Sequence, residues 1–463
     1  MRQTLVACAL ALALPAAFAQ SRGPEADESL LRSMTRVELY GILDGGLEVI
    51  SNGDGARATR LSSGMAAGSR IGFRGTENLG DGYRALFVLE NRLEFDTGKL
   101  SNGPGLFTCS TTTGVLCPGV RLTIPVPAAS AAATVGGASA ANNYLLQQVT
   151  QVNAANALFD RQAFVGMVTP VGALLAGRMY TPGYEIENRF TSFADQTAGQ
   201  IGQGYSALAI RANNALQYRA EVGGFGASVM YGFGGTEVNR NERTSVRNGD
   251  DFVGINLMYN APDFGAGIGF NRNNTVTFDA PNTKKTGLKT LNVGGRYTIG
   301  PVRLFVHYMT RKNDNPVLTP ADLQNLIVSS GGNFATILSV VTPLYLNAFD
   351  VDLMRGVPGK TDTKIYHLGA ILTLGPGDLY FAFNRAKDKA NDDWDVEDAK
   401  VNHFALSYFY NLSKRTQLIG TYATARNKGA SRMGLGAAGY SGGFTTVPGQ
   451  SSTVLQAGVR HAF

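Results

Sequence analysis

Seven connections along this chain are short and rich in glycine, proline, asparagine or aspartate: NLGDG, TPVG, GGFG, NAPDFG, IGPV, LGPGD and NLSKR. They alternate strictly with long polar connections. The segments between them alternate in character residue by residue, apolar then polar or small. A period of two is what a β-strand produces, because successive side chains point to opposite faces. The connecting residues are those that tight reversals need.

Sixteen segments follow this pattern. The first covers residues 36–49 and is followed by SRIGFRGTE, YRALFVLENRLEF, residues 160–169 and residues 173–180. ALAIRANNALQYRAEV, FGASVMYGF, FVGINLMYN, FGAGIGFNRN, LKTLNVGGRYTI and VRLFVHYMTR form a second group. TKIYHLGAILTL, GDLYFAFNRAK, AKVNHFALSYFYNL, RTQLIGTYATAR and the terminal SSTVLQAGVRHAF complete the set. A soluble sandwich has no reason to collect all its long loops at one end. A transmembrane barrel has one, since its periplasmic turns are short and its external loops long. Sixteen strands with both ends in the periplasm leave seven short turns, which is the number found.

The last strand fits closure. Leu455, Ala457, Val459, His461 and Phe463 share one face, with Gln456, Gly458 and Arg460 on the other. Unpaired strand edges are not tolerated in lipid, so this strand is expected to pair with the first. Phe463, Val459 and Leu455 then face lipid, Phe463 within the periplasmic aromatic girdle, while Arg460 and Gln456 face the lumen.

The start of the chain, MRQTLVACALALALPAAFAQ, has a basic beginning, an apolar middle and small residues at Ala17 and Ala19. Residues 1–19 read as a secretory signal, residues 20–35 as a periplasmic extension and residues 36–463 as the barrel. No later apolar run reaches the roughly 18 residues of a membrane helix. A mean hydropathy of −0.05 suits a soluble protein and a barrel equally. Three cysteines exclude a disulfide-stapled mini-fold. Cys109 and Cys117, in FTCSTTTGVLCPG, can close one small loop in an oxidising compartment. Two cysteines without nearby histidines do not suggest a metal site, and nothing points to a cofactor. The net charge of +6 is spread along the chain, without a basic tract for nucleic acid.

LYGILDGGLEV, GSRIGFRGTENLGDGYRALFVLEN, LFDRQAFVGMV, LLAGRMYTPGY and the final GVRHAF resemble the general diffusion porins of beta-proteobacterial outer membranes, in the order that family has them. The resemblance implies a 16-stranded antiparallel β-barrel that passes small hydrophilic solutes and ions. It also implies assembly as a homotrimer in lipid and lipopolysaccharide, with the third external loop folded into the lumen. The terminal Phe463 would belong to the signal read by the barrel-assembly machinery. Residues 20–35, a long second loop over 98–158 and a long sixth loop over 312–362 depart from the family pattern. In the sixth, Thr319 and Pro320 could start a short helix.

A channel of this kind needs a constriction of set size and field. The third loop, residues 181–206, offers Glu185, Glu187 and Asp195 as its negative side, Glu185 being the best match to the family. Alternation places Arg70 and Arg74 on the lumen face, opposite to Ile71 and Phe73. It separates Arg161, with Ala163 and Val165, from Phe164 and Gln162. With Arg211 these arginines occupy the family's basic positions. Asp44 and Glu90 also face inward by parity, and Arg178 has three open roles: lining the pore, anchoring the loop or meeting a neighbouring subunit. Gly41, Gly75 and Gly166 are expected to face outward, where they would let barrels approach.

The sequence bears on two other function classes. A barrel enzyme needs a nucleophile with an oriented base, and none of His307, His367, His403 and His461 has a triad-like sequence context. A substrate-specific channel, lined or gated by the long loops, is the alternative to a general one.

Overall fold

The alternating segments become a sheet that closes on itself. In the computed structural model, the described residues are 36–52, 57–98, 158–194, 196–200, 210–233, 251–277, 284–313, 361–389, 397–436 and 447–463, with isolated positions at 351–352, 354, 357–358 and 445. The signal segment, the 20–35 extension, Cys109, Cys117, Asp195, Thr319 and Pro320 lie outside them.

The first strands are β1 (Arg36–Ser51), β2 (Arg57–Ser63), β3 (Arg70–Gly80), β4 (Tyr83–Arg92), β5 (Gln162–Thr169) and β6 (Gly172–Tyr180). A helix, α1 (Pro182–Arg189), separates them from β7 (Arg211–Val222), β8 (Phe225–Gly232), β9 (Phe252–Asn260), β10 (Phe264–Thr277), β11 (Lys284–Ile299) and β12 (Val302–Asn313). After the short pair β13 (Val351–Asp352) and β14 (Val357–Pro358) come β15 (Thr361–Leu374), β16 (Gly377–Asp388), β17 (Ala399–Asn411), β18 (Thr416–Gly429) and β19 (Ser452–Ala462).

Both β2 and β3 pair with β1, along its residues 45–51 and 36–42 respectively. They are successive parts of one barrel position, so the 17-stranded sheet closes as a sixteen-position barrel. Its pairings are antiparallel throughout, including the seam from Ile42↔Ala462 to Ser51↔Thr453. Just beyond the seam, Gly41 and Phe463 exchange two backbone hydrogen bonds of 3.1 Å. The ring of Phe463 covers Gly41, where an added Cβ would stand 2.3 Å from it. Gly41 therefore makes room for this barrel's own terminal aromatic, and Gly75 does the same for Phe87.

Leu455, Val459 and Phe463 are exposed on the outside, and Gln456 and Arg460 are buried on the inside. Val37, Leu39, Val229, Ile255, Leu257, Ile268 and Leu406 continue an exposed apolar belt around the wall. In water such a belt would be an aggregation surface; against hydrocarbon it is the matching face. The seven short turns all lie at the end where β1 starts and β19 finishes. Tyr83, Phe225, Phe264, Tyr297, Tyr410 and Phe463 ring that end. Tyr218 joins them, its hydroxyl donating to the Val171 carbonyl of the adjacent turn at 2.6 Å. The first turn shows why NLGDG has its composition: Gly80, Asp81 and Gly82 have φ of +87°, +49° and +84°. Glycine enters that region without a Cβ penalty.

Sequence periodicity does not reveal the break between β2 and β3. Residues 64–69, GMAAGS, turn into the lumen, with Met65, Ala66 and Ala67 fully buried. The buried Asp44 carboxylate accepts from Ala66 N at 3.0 Å and Ala67 N at 2.9 Å. The Ser69 hydroxyl donates to the Asp44 carbonyl at 2.9 Å. Hydrogen bonds to a charged group contribute about 1.5–3 kcal/mol each. Asp44→Ala should therefore lower the temperature at which the folded barrel converts to its slow-migrating unfolded form on a gel. An unchanged conversion temperature would mean that the bulge holds without its carboxylate.

Candidate pore constriction

The third loop folds inward, as the resemblance implies. Thr181 caps α1, its hydroxyl oxygen accepting Tyr184 N–H at 3.4 Å, with a proline at the start of the helix and Glu185 in its first turn. Each of these favours a helix N-terminus. The helix lies on the inner faces of β9, β10 and β11. Gly183 N donates to Asn271 Oδ1 at 2.9 Å, and Asn256 Nδ2 donates to the Pro182 carbonyl at 3.0 Å. Gly267, Gly269 and Gly294 form the floor beneath it; a Cβ on any of them would meet Ile186 or Phe190 at 2.5–2.8 Å.

Past the helix the loop continues around the wall. Ser192 Oγ donates to the Phe381 carbonyl of β16 at 2.9 Å. Thr197 Oγ1 lies 3.4 Å from Ser407 Oγ on β17, and Ala198 N donates to Gln456 Oε1 on β19 at 3.2 Å. The loop thus crosses the lumen from β6 to β19 and narrows it.

Facing it is a row of arginines built around one carboxylate. Arg161 Nε donates to Glu90 Oε1 at 2.7 Å, and Arg70 Nη1 lies 3.8 Å from the same oxygen. Tyr40 donates its hydroxyl to Glu90 Oε2 at 3.1 Å. Arg161 and Arg211 both donate to Tyr180 Oη, at 3.0 and 3.1 Å. Arg211 also lies over the Tyr180 ring, 4.7 Å from its centre. That ring stacks on Tyr184 of α1 at 5.0 Å, which couples the arginine row to the loop.

The geometry groups Arg70, Arg161 and Arg211 and sets Arg74 apart. Arg74 pairs with Glu38 at 2.5 Å and covers Tyr40, nearer the short-turn end. Around Arg161 the two faces of the strand are the reverse of the sequence expectation. Phe164 and Gln162 are buried on the inner face, and Val165 and Met167 are exposed outside. Strand parity would therefore send Arg161 outward. It points inward because β5 begins only at Gln162, which leaves Arg161 free of the pleat and held by Glu90. The same parity turns Gly166 inward, against Leu175, rather than toward a neighbouring barrel. Arg178 ties the start of β5 to β7: it donates to the Asp160 carbonyl at 2.5 Å and to Asn213 Oδ1.

The loop acids divide. Glu185 turns to the adjacent wall, where it pairs with Arg219 of β7 and accepts from Asn256 Nδ2 at 2.9 Å. Glu187 is buried on the helix. Arg92, which sequence reasoning passed over, is buried beside the row and bonded to Asp160, its Nε 3.3 Å from Oδ2. Its signal was available, since Arg70, Glu90 and Arg92 share the inner parity of paired strands.

On the short-turn side of the loop the lumen opens into a chamber of about 1020 Å³. Arg189, Arg219, Arg296, Arg303, Lys414 and Arg460 line it, with Glu185, Glu221 and Asp378. Burial holds the Arg189 guanidinium below its ordinary pKa, an effect the nearby Glu221 opposes.

A family model described as "Gram-negative porin" matches residues 4–430. The chain belongs to that family. The porin is 26% identical to outer membrane porin protein 32 of Delftia acidovorans over the full length of both. It is 24% identical, again over both full lengths, to an outer membrane porin protein of Bordetella pertussis. Among solved structures, the fold matches an anion-selective porin from Comamonas acidovorans with a TM-score of 0.63 and 23% identity, over 93% of this chain and all of that one. The trimer form of Vibrio cholerae OmpT matches with a TM-score of 0.54 at 14% identity, over the same shares. Family and fold together make this a channel of the Gram-negative outer membrane, through which small hydrophilic solutes and ions diffuse passively.

Proposed function

We propose that this porin is a homotrimeric general diffusion channel with a weak preference for anions. The chamber beneath the third loop carries that reading: six cationic side chains face three carboxylates there. Charges on low-dielectric walls act further than on an open surface. Arginine keeps its charge at any relevant pH. Arg70, Arg161 and Arg211 add a basic wall above the chamber, moderated by Glu90, with Arg92 behind it and Arg74 below. Of the loop acids, Glu185 balances Arg219 in place, and Glu187 and Asp195 contribute charge to the loop. The Comamonas structure is that of an anion-selective porin.

The remaining assignments follow the family. Residues 1–19 direct export; outside the family pattern, residues 20–35 precede the barrel in the periplasm, and Cys109 and Cys117 close one small loop in that oxidising compartment. Phe463 ends the strand presented to the barrel-assembly machinery. The apolar belt meets lipid, with lipopolysaccharide outside, and three barrels meet through their early and last strands. The channel performs diffusion, not catalysis.

Planar-bilayer recording tests this. The expected result is large ohmic steps, often in threes, and a reversal potential on the anion side in a salt gradient. Neutralising Arg70, Arg161 and Arg211 should move that potential toward cations. The shift should shrink as salt rises, because screening shortens from ~8 Å at physiological ionic strength to ~3 Å at 1 M. A reversal potential indifferent to these arginines would reject the basic wall. Saturable block by one sugar or organic anion would instead indicate a substrate-specific channel.

A further inference from the structure

Three of the chain's four histidines meet in one row across the inner wall, beneath the third loop. His307 of β12 is paired with His367 of β15, and Asn384 of β16 lies opposite both His367 and His403 of β17. All four side chains are buried. The hydrogen bonds along the row have one consistent direction. Ser192 N–H can only donate, so His367 Nε2, 3.1 Å away, must accept. The His367 proton is then on Nδ1 and goes to Asn384 Oδ1 at 2.6 Å. That orients the amide, whose Nδ2 donates to His403 Nδ1 at 3.1 Å. His403 in turn interacts with the backbone of Ala198, back on the loop. Ser192 Oγ is 3.5 Å from the same imidazole but gives its proton to Phe381, so the arrangement is not an activated nucleophile.

We propose that His367, Asn384 and His403 are positioning residues that hold the third loop against the wall and so set the aperture of the channel. The row is complete only with neutral imidazoles. A second proton on His367 would place a donor against Ser192 N–H. One on His403 would place a donor against Asn384 Nδ2, and turning that amide would oppose the His367 proton instead. Acid therefore releases the loop between Ser192 and Ala198.

Other charged or titratable groups surround the row. His307 on β12 bonds Asn292 at 3.0 Å. Arg303 and Arg311 stand on either side of it along β12, Arg296 on β11, and Asp378, Tyr380 and Asp388 on β16. Asp378 accepts from Thr373 at 2.8 Å, and Asp388 accepts from Thr363. Strands β15 and β17 present no inward ionisable group besides the histidines, and neither do the described residues of the loop from 190 to 200. Asp195 lies outside the described residues. A separate tether runs from Ala198 through Gln456 to Glu48, with Gln456 Nε2 donating at 2.7 Å.

The inference rests on the channel but not on its ion preference, so a cation-preferring pore with the expected acid response leaves it standing. The test is single-channel recording of the full-length protein from about pH 7.5 down to about pH 3, well below the ordinary histidine pKa of ~6.5. The wild type should gain reversible substates and several-fold more open-channel noise in acid. His367→Gln can accept from Ser192 and donate to Asn384 without titrating, so it should conduct normally and lose most of that response. His367→Leu should show the acid-type substates already at neutral pH. The same acid profile in wild type and His367→Gln would overturn the proposal and assign the response to Glu48 or Asp195. So would normal, quiet conductance from His367→Leu.

Discussion

Glu90→Gln should both destabilise the barrel and make the channel more anion-selective. Glu90 is a carboxylate that Arg161, Arg70 and the Tyr40 hydroxyl share, and its side chain is only 5% exposed. Removing one partner of a buried ion pair costs about 3–5 kcal/mol, because the other charge remains without compensation. Glutamine keeps one acceptor oxygen, but its amide group turns a donor toward guanidinium donors. The folded band should give way at a clearly lower temperature on a heating gel, and the reversal potential should move further to the anion side.

The double variant Glu90→Gln, Arg161→Gln separates the two effects. Contacting residues are not additive, so the second change should recover part of the lost stability while drawing selectivity back toward the wild type. If Glu90→Gln left both gel and reversal potential unchanged, the arginine row would not depend on this carboxylate, and its assignment as the basic side of the constriction would fall.

Much of this architecture was legible because a barrel wall writes itself into each strand separately. Ile71 and Phe73 outward with Arg70 inward, or Val459 and Phe463 outward with Arg460 inward, follow from a period of two and need no partner strand. Where a residue leaves the pleat, that reading fails. Arg161 precedes the first residue of β5, so its direction is set by Glu90 rather than by parity. The inward fold of residues 64–69 has no period at all and is fixed by Asp44 from another strand. The histidine row is hidden for a different reason. His307, His367, Asn384 and His403 lie on four strands, and only the register between those strands brings them to one level. No single segment encodes that register.

Gly269→Val should close much of the channel without disturbing the barrel. On β10 the outward Phe264 and Ile268 alternate with inward Gly265, Gly267 and Gly269, a pattern that looks like a weak strand until the loop is placed on it. A Cβ at Gly269 would stand 2.8 Å from Ile186 Cγ1, 3.0 Å from Gly183 Cα and 3.1 Å from the Pro182 carbonyl. Two of those neighbours are backbone of α1, so relief requires the helix itself to move, and the wall leaves it only the lumen to move into. The shift would strain the bonds from Gly183 N to Asn271 and from Asn256 to Pro182, each already near ideal length at 2.9 and 3.0 Å. The outer face and the strand pairing are untouched, so the variant should still assemble and migrate as a folded barrel. Conductance and the swelling rate of solute-loaded liposomes should fall several-fold, most for the largest solutes. Gly420→Ala is the control, since nothing lies within 4 Å of a Cβ there. Normal permeation through a folded Gly269→Val barrel would show that α1 does not bound the aperture.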